Sequence, residues 1–181
     1  EFIVNPIIFN KELSELKRKE LITKCFVDKN CYFTTPFDMM INQIVEECRG
    51  DNKHGSCGLG IFETVIRSRT DKGYTFYEFA NISVYGMRIL LDNIATEYLP
   101  RRLKQLGIKN VPTKWVEILS NKNNIIENYI NDFLLMLDNV QIVNSDITDD
   151  YNYVIFEGAQ GLLLDQNNLS YMPNLTPSNT G

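Results

Sequence analysis

The chain has 181 residues, enough for one compact domain, and 44% of them are hydrophobic, enough to form a core. Its formal net charge of -5 argues against a nucleic-acid binder, because such proteins carry a basic surface over their phosphate contacts. A single nucleotide is still an acceptable ligand, since one or two basic groups and a few backbone N–H groups hold one phosphate.

The cysteine and histidine content argues against a structural zinc site, and no metal site is expected in this segment. The cysteines form no Cys-x-x-Cys pair, and only one histidine, His54, is present. No signal peptide opens the chain and no apolar run approaches the ~20 residues that cross a bilayer, so we expect reduced thiols in a cytoplasmic protein. The four cysteines are Cys25, Cys31, Cys48 and Cys57.

The first third of the chain carries two helix-start signals. Asn5-Pro6 predicts a helix over about 6–20, because Asn caps free backbone donors and Pro loses nothing at the first helical position. The apolar, aromatic run 24–33 predicts a buried strand and turn. Thr35-Pro36 repeats the start signal, and Gly50 is a plausible left-handed end for this second helix.

The middle of the chain is predicted to be mainly helical. Three glycines make 51–60 a loop, and 61–69 is expected to be a helical turn or an edge segment. The alternation of aromatic and polar residues over 73–79 favours a strand or hairpin arm. The stretch 82–106 is predicted to be mostly helical, with Pro100 as a break or kink.

The last third alternates helix and strand patterns. Helices are predicted over 112–119 and 123–137, and short strands over 140–143 and 153–156. Strands separated by helical stretches indicate an α/β fold with a mostly parallel sheet. The helical subregion, about 75–140, is expected to form a largely helical insertion that caps this sheet.

The strand predicted over 153–156 runs directly into Glu157-Gly158-Ala159-Gln160-Gly161. Ligands of α/β sheets gather at the carboxyl ends of strands, and small residues there allow close approach to the backbone. The Gln160 amide both donates and accepts, so it suits a carbonyl and a ring nitrogen, while Glu157 suits a cation or loop N–H groups. The alternative is a tight turn whose glycines serve packing alone.

This segment and the residues after it resemble the signature stretch of the adenylosuccinate synthetase family. A strand in that family leads to Glu-Gly-Ala-Gln-Gly and on to a Thr-Ser-Ser-Asn-Thr motif, in which Pro177 here replaces a serine. The resemblance implies GTP-dependent ligation of IMP and L-aspartate with Mg²⁺, in a cytoplasmic homodimer. The matching residues are Phe156-Glu157-Gly158-Ala159-Gln160-Gly161, Leu163-Leu164-Asp165 and Thr176-x-Ser178-Asn179-Thr180.

The resemblance also implies roles for three residues of these matching motifs and their surroundings. Gln160 would lie beside the purine C6 oxygen and act in catalysis. Leu164 would line the IMP site, and Thr176 would contact the IMP phosphate.

A second matching segment is Gly55-Ser56-Cys57-Gly58-Leu59-Gly60. The family has a Thr-Thr-Gly-x-Gly-Ile-Gly loop here that wraps the IMP phosphate, and consecutive N–H groups in such a loop form an anion-binding concavity. Gly55 stands where the phosphate-binding threonine belongs, and Ser56 is the nearest hydroxyl. The family's arginine that reaches the partner's IMP phosphate matches Arg69, with Arg67 close behind. Without the resemblance, both arginines would be read as surface charge.

Other polar groups are predicted to be ordinary loop residues. His54 is the single histidine, but the family's catalytic histidine lies much nearer the N-terminus. The acidic cluster of Asp146, Asp149 and Asp150 is better explained by solvated turn chemistry than by metal binding.

Motifs that the family needs for catalysis are missing from these 181 residues. They include the Gly-Asp-Glu-Gly-Lys-Gly-Lys loop, which cradles GTP and carries the catalytic base, and no Walker-type loop replaces it. We therefore expect 1–181 to be an interior segment of one larger, P-loop-like synthetase domain, inactive alone. Two alternatives stay open: a divergent ligase that acts on another purine monophosphate such as a guanylate, and a non-catalytic nucleotide-binding relative.

Overall fold

A computed structural model of the chain describes residues 2–21, 24–70, 73–155 and 157. Its contacts divide the chain into two units. The larger unit, Ile3–Val143, contains the core, and the described part of the smaller unit is Phe2 with residues 144–155 and 157. The elements of the larger unit are β1 (Ile3–Val4), α1 (Pro6–Arg18), β2 (Cys25–Asp28), β3 (Tyr32–Phe33), α2 (Pro36–Cys48), a 3-10 turn (Gly50–Asn52), α3 (Ile61–Thr70), α4 (Phe76–Ala80), α5 (Val84–Asn93), a π-helical segment (Ile94–Tyr98), α6 (Leu99–Gln105), α7 (Thr113–Ser120), α8 (Lys122–Leu137) and β4 (Val140–Val143).

The described strands form two parallel pairs. β1 pairs with β3, with Val4 opposite Phe33, and β2 pairs with β4, with Val27 opposite Ile142. Both pairs are joined through helices, as parallel connections require. The α/β class and the parallel pairing are therefore confirmed, whereas the larger synthetase fold stays a prediction.

The strand predicted over 24–33 is two strands that belong to different sheets. The chain turns between β2 and β3, where the Asp28 carboxylate accepts the Asn30 N–H at 2.7 Å and the Asp28 carbonyl accepts the Cys31 N–H at 3.1 Å. An Asp side chain that mimics a backbone turn in this way is a common chain reversal.

The predicted helix starts are confirmed. Asn5 caps α1 by accepting the N–H groups of Ile7 and Ile8. Thr35 caps α2 in a reciprocal capping box with Asp38, and Gly50 follows α2 with φ of 55°, the left-handed conformation expected of it.

The strand or hairpin arm predicted over 73–79 is wrong, because this stretch contains helix α4. Thr75 and Glu78 form a second capping box, and Phe76 and Phe79 are fully buried three residues apart. Aromatic residues at this spacing fit one helical face as well as they fit a strand. The capping box decides between the two.

The prediction for 82–106 is confirmed, and the structure shows how Pro100 is accommodated. The Leu99 N–H bonds to the Ile94 carbonyl, five residues back, so a π-helical segment ends two residues before the proline. Proline has no N–H to continue the ordinary ladder, and a wider turn at this point keeps the helix continuous.

Helix α8 forms the centre of the core. The ring of Phe133 lies 4.9 Å from Phe76, 4.7 Å from Phe79 and 5.8 Å from Phe33, measured between ring centroids. The buried Tyr129 hydroxyl of the same helix donates to the Thr34 carbonyl at 2.7 Å. This bond links α8 to the start of α2, the helix that carries the candidate site.

In the smaller unit, the strand predicted over 153–156 is wrong for its described residues. Tyr153–Ile155 do not form a strand, and Tyr153 and Ile155 expose 92% and 93% of their surface; Phe156 lies outside the described residues. Three apolar residues make a strand only when a neighbouring strand supplies backbone partners, and none pairs with them in the described part of the chain. Among the described residues, no helix is long and apolar enough to span a membrane.

Candidate functional site

The candidate phosphate loop, residues 53–60, joins the 3-10 turn to α3 and bends through three glycines with positive φ, at 55, 58 and 60. Gly60 packs most closely. A Cβ on Gly60 would lie 2.6 Å from the backbone of Asp38 and Met39, at the start of α2. A Cβ on Gly55, by contrast, would meet nothing within 4 Å. The close contact at Gly60 therefore fixes the end of the loop against α2.

The other end of the loop is held by the carboxylate of Glu46, on α2. It accepts the His54 N–H at 3.3 Å, the Ser56 N–H at 3.2 Å and the Arg49 guanidinium at 2.5 Å. Partial burial raises the pKa of Glu46, but the bonds from Arg49 and from the N–H groups of Ser56, His54 and Gly55 outweigh it and hold the pKa at about 2. Glu46 is therefore ionised throughout the neutral range.

Two further side chains of α2 contact the loop. The Ser56 hydroxyl donates to Asn42 Oδ1 at 2.9 Å, and Gln43 Nε2 donates to the Gly58 carbonyl at 3.0 Å. The donors expected to meet a nucleotide phosphate, the N–H groups near Gly55 and both donors of Ser56, are thus bonded to α2. The phosphate-binding roles of Gly55 and Ser56 stay predictions.

Arg67, on α3, is a buried structural residue. It is 4% exposed, its Nε lies 2.8 Å from Asp38 Oδ1, and its Nη2 donates to the Phe33 carbonyl at 2.9 Å. Burial lowers the Arg67 pKa, but the charge and hydrogen bonds of Asp38 outweigh burial and raise it. Arg69 stands two residues later on α3 and is exposed. Of the two predicted candidates, only Arg69 is exposed, and its contact with the partner's IMP phosphate stays a prediction.

A second ion pair lies beside the first. Glu63, on α3, is 6% exposed and accepts from Arg102 Nε at 2.7 Å. Burial, together with the negative charges of Asp38 and Glu63, raises the pKa of Tyr98 to about 12 and outweighs the opposing charges of Arg102 and Arg67. The pairs hold α3 against α2 and α6, and so they position the loop and Arg69.

A cavity of about 470 Å³ opens beside this network, along α5, the π-helical segment and α6. Its walls are mainly apolar, with Arg67, Tyr98 and Arg101 among the polar residues that line it. Among the residues that the structure describes, none bonds to the buried Tyr98 hydroxyl. The sequence analysis did not indicate this cavity, which Arg67 and Tyr74 complete from outside the helical stretch 82–101.

The remaining predicted residues are spread over the chain. His54 lies in the loop as predicted, and its Nδ1 is 3.2 Å from Arg49 Nη1. Glu157 is exposed. Within the described ranges, no group of acidic, His and Cys side chains is arranged to hold a metal ion, the Asp146–Asp150 stretch included. Gln160, Leu164 and Thr176 lie outside the described residues.

Sequence analysis missed the α2 side chains that hold the loop. Asp38 had a local signal, because Thr35 and Asp38 have capping-box spacing. Glu46, Arg49 and Asn42 had none, since a polar residue on a helix surface looks the same whether it faces solvent or a loop.

The chain is similar to known proteins of one family. A model of the adenylosuccinate synthetase family matches residues 1–181. Curated adenylosuccinate synthetases similar to this chain include those of Parabacteroides distasonis, 27% identical, Streptomyces coelicolor, 26% identical, and Acaryochloris marina, 30% identical. Each comparison covers 98% of this chain but only 38–40% of the relative. The chain therefore spans about two fifths of the length of the curated relatives it matches.

Proposed function

The chain belongs to the adenylosuccinate synthetase family, and from that premise we propose that the whole protein joins IMP to L-aspartate with GTP, in purine nucleotide biosynthesis. The single observation that supports this most is the family match over residues 1–181. The curated relatives with this name support it over 98% of the chain.

The proposed reaction has two steps. The C6 oxygen of IMP attacks the γ-phosphorus of GTP, GDP leaves, and a base takes the N1 proton. The aspartate amine then attacks C6, and inorganic phosphate leaves with the C6 oxygen. Positioning and charge stabilisation supply most of the catalysis in such phosphoryl transfers.

This chain would contribute nucleotide-facing groups to the reaction. Gln160 would orient and stabilise the developing C6 oxyanion, Leu164 would line the nucleotide site, and Thr176, Ser56 and Arg69 would hold the IMP phosphate. Mg²⁺ would neutralise charge on the GTP phosphates, but the described residues do not fit its site, because they offer no cluster of ligands. We propose that the GTP loop, the catalytic base and the magnesium ligands belong to other parts of the protein, and that these 181 residues alone are inactive.

The role of Gln160 gives the direct test of this function. In the whole protein, Gln160→Ala is expected to lower kcat with IMP, GTP and aspartate at least about a hundredfold, since one donor to a developing oxyanion contributes about this much. The measurement is steady-state turnover, with Gln166→Ala as the nearby control. Unchanged kcat in Gln160→Ala would refute the role. Turnover of GMP in place of IMP would favour the divergent ligase, and nucleotide binding without turnover would favour the non-catalytic relative.

The role of Arg69 gives an independent test of the proposed function. We propose that the protein is a homodimer in which Arg69 of one subunit holds the IMP phosphate of the other. Arg69→Ala is expected to raise the KM for IMP at least about tenfold, because a charge-assisted contact to phosphate is lost, with little effect on stability since Arg69 is exposed. Arg88→Ala, which breaks an exposed ion pair with Glu127, is the matched control.

Mixing the two impaired variants, assayed at IMP concentrations well below the KM, shows whether Arg69 acts across the dimer. If it does, mixed dimers of Arg69→Ala and Gln160→Ala subunits contain one intact site each, and about one quarter of wild-type activity returns. If Arg69 acts within its own subunit, no site in any dimer is intact and no activity returns.

A further inference from the structure

Gly73 packs directly onto the end of α3, just after the exposed Arg69. Its N–H donates to the Ser68 carbonyl at 3.1 Å, a bond of the kind that closes helix ends. We propose that Gly73 is a positioning residue, one that sets where the Arg69 guanidinium lies and thereby how well it reaches a nucleotide phosphate. The inference rests on the proposed function for the role of Arg69 itself.

The contact between Gly73 and Ser68 leaves no room for a side chain. A Cβ on Gly73 would overlap Ser68 Cα and would lie 2.7 Å from Ser68 Cβ and 2.8 Å from the Ser68 carbonyl oxygen. The φ of Gly73 is not in the left-handed region, so the contact alone requires glycine here. The close atoms belong to the backbone and to Cβ, and they cannot rotate away as the end of a long side chain does.

The part of α3 that precedes Arg69 is fixed to its neighbours. Arg67 Nε lies 2.8 Å from Asp38 Oδ1, and Arg67 Nη2 donates to the Phe33 carbonyl at 2.9 Å. One turn earlier, the buried Thr64 hydroxyl donates to Thr34 Oγ1 at 3.1 Å. A side chain at position 73 therefore cannot be accommodated by a shift of the whole helix α3 without breaking these buried bonds.

The chain after Gly73 is fixed as well, because α4 is bonded to the turn between β2 and β3. The Phe76 N–H donates to the Cys31 carbonyl at 2.7 Å, and the Tyr77 N–H donates to the Lys29 carbonyl at 3.3 Å. Phe76 and Phe79 are fully buried and pack on the core ring of α8. Moving α4 away from α3 would therefore disturb the centre of the core.

With both flanks fixed, a side chain at position 73 has to displace the stretch between Arg67 and α4, which carries Arg69. Arg69 is exposed, so this displacement changes the position of its guanidinium without removing a buried contact of Arg69. Charge-assisted bonds to phosphate depend on the position of the donor, and a misplacement of about 1 Å is enough to weaken such an interaction strongly. The effect should therefore appear in the affinity for the nucleotide.

Gly86 provides a matched control for Gly73. It lies within α5, and a Cβ there would meet Ile82 Cβ and Ser83 Oγ at 3.5 Å, which is ordinary van der Waals contact. Gly86→Ala is the same chemical change as Gly73→Ala, but it fits its surroundings and favours the helix.

The test is steady-state kinetics of the whole protein for the wild type, Gly73→Ala, Gly86→Ala, Arg69→Ala and Arg69→Ala/Gly73→Ala. Gly73→Ala is expected to raise the KM for IMP at least about fivefold, and Gly86→Ala less than about twofold. The KM values for GTP and aspartate should not change. In the Arg69→Ala background, Gly73→Ala should give no further rise, since the contact that it positions is already lost.

These readouts distinguish positioning from a purely structural role. Partial unfolding lowers the amount of active protein and hence the apparent kcat, but it does not raise the KM for one substrate alone. Unchanged KM for IMP in Gly73→Ala overturns the inference. An equal rise in the presence and absence of Arg69 also overturns it, because Gly73 would then act through another group.

A second variant keeps the test decisive if Gly73→Ala does not fold. Thr75 caps α4 by accepting the Glu78 N–H, and this cap is exposed, so Thr75→Ala removes it without disturbing the core. Freeing the start of α4 is expected to raise the KM for IMP about twofold or more, again only when Arg69 is present. No change in this variant, in the absence of a folded Gly73→Ala, overturns the inference.

Trypsin cleavage of the native protein after Arg69, followed by mass spectrometry, reports on this stretch without any turnover. Cleavage is expected to be at least about threefold faster in Gly73→Ala than in Gly86→Ala, because the end of α3 is displaced from its closed position. Equal rates overturn the inference. Faster cleavage in a protein that does not turn over IMP supports the contact between Gly73 and α3 and refutes the ligase, so the two failures are distinguishable.

Discussion

Replacing Asp38 with alanine is expected to destabilise the protein by about 3–5 kcal/mol, the usual consequence of removing one partner from a buried ion pair. Asp38 is fully buried and accepts from Arg67 Nε at 2.8 Å and from the Thr35 N–H and hydroxyl, each at 2.8 Å. Without it, the Arg67 guanidinium stays buried with its charge unpaired, and the capping box of α2 is lost. Urea denaturation of the wild type and variant measures the free energy of unfolding.

Two controls identify the cause of that loss. Arg88→Met breaks the exposed ion pair with Glu127 and is expected to cost less than about 1 kcal/mol. Asp38→Leu/Arg67→Met removes both buried charges. It should destabilise the protein less than Asp38→Leu and Arg67→Met added together, and a double-mutant cycle measures this coupling. A loss in Asp38→Ala as small as that in Arg88→Met would show that the buried pair contributes little.

Replacing Gly60 with alanine is expected to have the second largest effect, a destabilisation of about 3 kcal/mol or more. The φ of Gly60 is 71°, which strains any L side chain, and the new Cβ would lie 2.6 Å from backbone atoms of Asp38 and Met39. The close atoms are backbone atoms of a capped helix, so they cannot turn aside as a flexible side chain does. The start of α2 and the start of α3 must therefore move apart.

Gly107→Ala separates the backbone strain at positive φ from the steric clash with α2. Gly107 has φ of 78°, but a Cβ there would meet nothing within 4 Å, so this variant carries the backbone strain alone. It is expected to cost about 1–2 kcal/mol. If denaturation shows equal losses in the two variants, then the contact between Gly60 and α2 is not close in solution.

The two predictions concern the same contact, between the start of α2 and α3. Asp38 and Gly60 hold the start of α2 against α3, and the far end of the same α2 holds the loop through Glu46. The candidate phosphate donors therefore lie on a loop that is fixed at both ends to a single helix. Under the proposed function, changes at this contact are therefore expected to weaken binding of the nucleotide phosphate as well.

The sequence alone determined the features that act within one turn of the chain. Asn5 and Thr35 set the starts of α1 and α2, and Gly50 marks the end of α2, because capping and left-handed conformations depend on residues two to four positions apart. The family was recognisable for a similar reason, since its motifs are runs of consecutive residues such as Glu157–Gly161.

Only the tertiary structure decided which polar residues act together. Arg67 and Arg69 are equivalent in the sequence, but Asp38, 29 positions away, draws Arg67 into the core and leaves Arg69 exposed. Glu46 meets the Ser56 N–H across ten positions, and no local pattern signals this bond. A charge is satisfied by whichever partner the folded chain brings within about 3 Å, so its role depends on the packing of α2 against α3 and not on its neighbours in the sequence.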